Sequence, residues 1–73
     1  MKLPTDVSGE ELVKILQRVG FVVNRKRGSH IILRRADPYA RVVVPDHKQV
    51  RLGTLRHILN EAGVTVEQLL ELR

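Results

Sequence analysis

The stretch RKRGSHIILRR, Arg25 to Arg35, holds the residue types in this chain best suited to chemistry. Five of its eleven residues are Arg or Lys, and they bracket Gly28, Ser29 and one histidine, His30, before three apolar residues. An imidazole, with an unperturbed pKa of about 6.5, takes or gives a proton near neutrality. Fixed cations on both sides can hold an anion against it. The combination fits proton transfer beside a bound anion. Taken alone, a histidine at a strand start is more often a solvated surface residue, and flanking cations also serve to keep sheet edges from aggregating.

The charge of the whole chain supports an anionic partner. Lys plus Arg number 13 against 8 Asp plus Glu, a net charge of +5. Arg18 to Arg51 contains nearly all of the surplus, while Asp6, Glu10 and Glu11 open the chain and Glu61, Glu67 and Glu71 populate its end. A localised basic band on a small domain suggests a polyanion, most often nucleic acid. Solubility alone accounts for a modest positive charge as well.

The elements that must position these residues follow from periodicity and punctuation. Ser8 and Glu11 read as a capping box. Leu12, Ile15, Leu16 and Val19 make one apolar helical stripe, closed by Gly20, so a first helix is expected over Gly9 to Val19. FVVNRKR is a strand, Gly28-Ser29 a two-residue hairpin turn and HIILRR the returning strand. ADPYA is a turn and RVVVP a third strand ended by Pro45. DHKQVRLG is a polar connection, with Thr54 a possible cap for a second helix. Leu55, Ile58, Leu59 and Ala62 form that helix's stripe, closed by Gly63. Thr65 and Gln68 form another possible capping box before a short third helix.

The order is α-β-β-β-α with a short extra C-terminal helix. It implies one α+β domain over residues 1–73, with a three-stranded antiparallel sheet, helices on one face and the other face left to solvent. A chain of 73 residues buries only about 60% of its unfolded surface, so the core is small. There is no Cys, hence no disulfide framework or Cys-based metal site. The three His lack the spacing of zinc ligands and no acidic cluster suits Mg²⁺, so neither a metal nor another cofactor is expected. No apolar run approaches the roughly 20 residues that cross a membrane. The N-terminal residues lack the apolar region of a signal peptide. No membrane association and a cytoplasmic location are expected.

The element order resembles the double-stranded-RNA-binding fold, and the motifs are more specific than the order. Gly20-Phe21, Gly28-Ser29-His30, Val44-Pro45 with His47, Gly53-Thr54-Leu55 with Ile58-Leu59, and Ala62-Gly63 occur in sequence. In that order and spacing they resemble the HicA family of toxin ribonucleases of toxin–antitoxin pairs, over essentially the whole chain from Ser8. One departure is the turn Asp37-Pro38-Tyr39-Ala40, where the family often has a Gly.

The resemblance implies a small, metal-independent endoribonuclease that cleaves mRNA, an mRNA interferase with His30 as its catalytic general acid/base. It also implies neutralisation by a HicB-like antitoxin. Such cleavage uses the 2′-hydroxyl as internal nucleophile and needs a base, an acid and positive charge at the phosphorus. Arg25, Lys26, Arg27 and Arg34 are candidate RNA-binding residues, although strand alternation lets only those on the face of His30 act with it directly. Ser29 can donate to a phosphate oxygen, and Gly28 permits a positive φ and close approach of the RNA backbone. His47 is either the missing acid or a residue that shapes the loop into the second helix, with the loop role favoured. Thr54, with Arg51 and Arg56 near it, either binds a phosphate through the helix start or simply begins the helix. His57 reads as solvated, Tyr39 as an exposed turn residue and Phe21 as core. The alternative is a non-catalytic double-stranded-RNA-binding module, which usually carries a lysine cluster at the start of its last helix; VRLGTLRHIL has none. A protein-interaction patch around Leu70 and Leu72 is compatible with either.

Overall fold

The computed structural model of the protein describes residues 2–73. Its elements are α1 (Gly9–Arg18), β1 (Val22–Arg27), β2 (His30–Ala36), β3 (Tyr39–Pro45), α2 (Leu52–Ala62) and α3 (Val66–Leu72). The strands form one antiparallel sheet in the order β1-β2-β3. This is the expected α+β arrangement, and it is compatible with the double-stranded-RNA-binding fold. No helix among the described residues is long and apolar enough to cross a membrane.

The core lies between the helices and one sheet face. Leu12, Ile15 and Leu16 of α1 and Leu55, Ile58 and Leu59 of α2 meet Leu33, Val42 and Val44 of the sheet, with Phe21 and Leu69 filling the ends. Each such side chain contributes about 1.5–3 kcal/mol by leaving water. On β2, Ile31 and Leu33 point into this layer, so His30, Ile32 and Arg34 point the other way. On β3, Ala40, Val42 and Val44 point inward, which sends Tyr39, Arg41, Val43 and Pro45 to the open face. That face is less bare than expected. Ile32 is only 6% exposed, with Arg25 and Val43 beside it in register.

The helix ends show where local signals compete with distant ones. Ser8 caps α1 by accepting from the Glu11 N–H at 3.0 Å. The Glu11 carboxylate does not complete the expected box, because Arg73 Nε donates to it at 2.8 Å. The same guanidinium reaches Asp6 at 2.8 Å. Hydrogen bonds to Glu11, then to Asp6, raise the pKa of Arg73 above its already high ordinary value. Thr65 and Gln68 do form a full capping box on α3. α2 starts two residues before Thr54, with Arg51 as its N-cap and no side-chain cap. Thr54 is therefore the third helical residue, and its expected capping role is corrected.

β3 also begins earlier than expected. The turn from β2 is only Asp37-Pro38, with a cis peptide bond, so Tyr39 and Ala40 already pair with Ala36 and Arg35. α2 packs next to β3, and His57, Ile58 and Glu61 line a crevice there with Arg41, Val42 and Val43. β1 is the other margin, and all six of its residues are exposed.

A chain crossing joins α1 to the end of β3. Gly9 N–H donates to His47 O at 2.9 Å, and Val50 N–H to Val7 O at 2.8 Å. The approach at Gly9 leaves no room for a side chain: a Cβ there would lie 2.1 Å from Pro45 O.

Candidate nucleic-acid interface and cleft

The hairpin of β1 and β2 turns at Gly28, whose φ of +57° suits glycine and which has open space beside it. Ser29 is exposed in the same turn, and its carbonyl accepts from Asp46 N–H at 2.7 Å. That bond ties the hairpin tip to the segment leaving β3. His30 is the first residue of β2. Its cross-strand neighbours are Arg27 on β1 and Pro45 on β3. The residue is exposed on the open face.

A register irregularity in β1 decides which cations share that face. Val23 pairs with Leu33 and faces the core layer. The bulge between Val23 and Arg25 then leaves Asn24 out of register, so Arg25 meets Ile32, Lys26 meets Ile31 and Arg27 meets His30. Bulges commonly re-aim side chains in this way. Here the irregularity sends Arg25 and Arg27 to the open face and Lys26 to the helix side. Lys26 Nζ lies 2.7 Å from Asp46 Oδ2, an ion pair beside α1. Of the four cations expected to accompany His30, the structure therefore brings together Arg25, Arg27 and Arg34, and separates Lys26. Arg35 also stays on the helix side, over the Phe21 ring at 4.7 Å and bonded to Pro38 O at 2.9 Å.

The sequence reading missed Arg41. It sits directly opposite Arg34 on the open face. Two like charges facing across strands destabilise a sheet. Arg25, Arg27, Arg34 and Arg41 form no ion pair with any carboxylate among the described residues. Rows on one face are about 7 Å apart, so the row of Arg34 and Arg41 lies roughly 13 Å from His30 along the sheet. The face is an unneutralised arginine surface with an imidazole at one end.

At that end the sheet meets a cleft of about 430 Å³. His30 of β2 lines it together with Val43 and Pro45 of β3. His47, Gln49, Arg51 and Thr54 line it on the side of the loop and α2. The loop is fixed at several points: His47 N–H donates to Pro45 O at 2.9 Å, His47 O accepts from Gly9, and the Gln49 side chain donates to Thr5 O. The structure thus places His47 and Thr54 beside the same cleft as His30. Arg51 joins them, as its position next to the helix start suggested. His57 is exposed on α2, 3.8 Å from Glu61, and Tyr39 is 69% exposed at the far end of the open face.

The comparison with protein families agrees with the motifs. A family model described as the HicA toxin of bacterial toxin–antitoxin matches residues 9–64, which span α1 through the end of α2. No curated protein matches the chain.

Proposed function

The chain belongs to the HicA family, toxins of bacterial toxin–antitoxin systems, and from that premise we propose that it is an endoribonuclease that cleaves mRNA without a metal, with His30 as general acid/base. The observation that carries the reading is the exposed imidazole of His30, standing where an arginine-lined sheet face runs into a cleft. Arg27, in register with His30, and Arg51, in the cleft, are the cations nearest the reacting phosphate. Arg25, Arg34 and Arg41 hold phosphates farther along the strand. Ser29 and Gly28 border the entry at the hairpin tip. A HicB-like antitoxin neutralises the toxin, and acidic residues of that partner would complement the same arginine face.

The direct test incubates the purified protein with RNA oligonucleotides in EDTA. Cleavage is expected, and intact RNA after prolonged incubation with folded protein would refute the assignment.

The opposed pair Arg34 and Arg41 yields a second expectation. With His30→Ala as background, so that the substrate survives, the double change Arg34→Ala, Arg41→Ala should weaken RNA binding and reduce its salt dependence. Each phosphate that is no longer neutralised lowers the log–log salt slope by about 0.7 for a single strand. Arg34→Ala alone should leave the free protein as stable as before, or raise its stability by ~0.2–1 kcal/mol, because it removes a like-charge pair. Lys26→Ala, which sits on the other side of the sheet, should leave the slope unchanged. Binding titrations at several salt concentrations decide the matter. An equal response to Lys26→Ala would show that RNA does not follow the open face.

A further inference from the structure

The cleft holds two imidazoles. His30 and His47 are 17 positions apart in sequence, yet the pairing of His30 with Pro45 and the turn after β3 bring both to one opening. Neither ring takes part in an ion pair or side-chain hydrogen bond among the described residues, in contrast to His57 beside Glu61. The segment carrying His47 is also held firmly for a loop. Its backbone is bonded in both directions, to Pro45 O and from Gly9 N–H. A loop-shaping role would be served by those backbone bonds alone, so they leave the imidazole free for another task.

We propose that His47 is the general acid of the cleavage step, partnering His30 as the base; the proposal rests on the reading of His30 given above. His30 joins the lining from β2 and His47 from the loop after β3, two residues beyond Pro45, the strand partner of His30. Displacement at phosphorus is in line, with the attacking and leaving oxygens on opposite sides of the phosphorus. Two imidazoles carried by different elements at one opening can supply a base to one oxygen and an acid to the other. Neutral His30 removes the proton of the 2′-hydroxyl, and the 2′-oxygen forms its bond to phosphorus. The bond from phosphorus to the 5′-oxygen breaks, and protonated His47 delivers its proton to that oxygen. The products are a 2′,3′-cyclic phosphate and a 5′-hydroxyl, with His30 protonated and His47 neutral. Water attack on the cyclic ester with the two roles exchanged returns both rings to their starting states. Arg51, which lines the same cleft, supplies positive charge for the phosphoryl oxygens.

The test compares two versions of one oligoribonucleotide. One is natural, and the other carries sulfur in place of the scissile 5′-oxygen, so that the leaving thiolate needs no proton. His47→Ala and His47→Gln are expected to slow cleavage of the natural RNA by ~10²–10⁴-fold while cleaving the sulfur-substituted RNA within about tenfold of wild type. His30→Ala is expected to slow both. Circular dichroism and thermal melting confirm that each variant is folded, and the glutamine variant serves where alanine unsettles the loop. Equal slowing of both substrates by folded His47 variants would overturn the acid role and leave the role of His30 standing. A wild-type rate on natural RNA in those variants would overturn it too. Wild-type protein that cleaves neither substrate would instead overturn the ribonuclease reading itself.

Discussion

His30→Ala is expected to lower the rate of RNA cleavage by ~10²–10⁴-fold, the usual contribution of a positioned proton-transfer group, and to abolish growth inhibition by the expressed protein. The fold should survive the change, because the side chain is exposed, contributes nothing to the core and makes no hydrogen bond among the described residues. RNA affinity should fall little, since the arginines of the open face remain. Single-turnover cleavage, binding titration and thermal melting of the same preparation separate these effects. A folded His30→Ala protein that cuts RNA at the wild-type rate would remove His30 from the mechanism.

Gly9→Ala should destabilise the protein by about 1–3 kcal/mol or more, the range for overpacking a filled site. Its melting temperature should drop by ~4–8 °C for each kcal/mol. The added Cβ would meet Pro45 O at 2.1 Å and Asp46 Cα at 3.1 Å. Both are backbone atoms, so no side chain can swing aside, and α1 must separate from the end of β3. Alanine is the better helix former by ~0.8–1.0 kcal/mol in a helix interior. That gain is smaller than the clash, more so at the first residue of α1, and the sign is set by packing. Displacement of the 45–47 segment should also loosen the bond from Gly9 N–H to His47 O and disturb the cleft, so cleavage should fall even well below the melting temperature. Gly53→Ala is the control. Gly53 is in α2 with no neighbour within 4 Å of the added atom, and the change should be neutral or stabilising by up to about 1 kcal/mol. Urea or thermal denaturation checks both. Equal stability of Gly9→Ala and wild type would contradict the close approach.

Much of this architecture was legible because its signals are local. The stripes Leu12-Ile15-Leu16 and Leu55-Ile58-Leu59, the hydroxyl caps Ser8 and Thr65, and the Gly28 turn each act within a few residues, and each produced the element it announced. The errors arose where a distant partner intervened. Ser8 and Glu11 spell a complete box, but Arg73 lies 62 positions away and takes the carboxylate. Arg41 escapes a reading that makes the turn too long. Once Asp37-Pro38 is a two-residue turn, Arg34 and Arg41 must oppose each other, and the alternation of Ala40, Val42 and Val44 carries that register. The side taken by each cation of RKR depended on one residue left out of register at Asn24. An unbroken strand would have put Lys26, and not Arg27, across from His30. That irregularity has no clear mark in the sequence, which is why alternation could divide the cations between faces without assigning them. His47 reads chiefly as a loop residue, because nothing local says that β3 ends beside the start of β2.

The two margins of the sheet differ in a way that bears on self-association. Growth of a filament by strand addition needs two open margins per subunit, one to give and one to receive. β1 is the more open margin: all six of its residues are exposed, whereas β3 alternates buried and exposed residues next to α2. Pairing of β1 with β1 of a second copy would give a closed pair related by a two-fold axis. That pair would bring Arg25 and Arg27 of one copy against the same residues of the other. Pairing along β1 is opposed by charge, so the basic residues that make this strand a surface for anions also work against its edge-to-edge association.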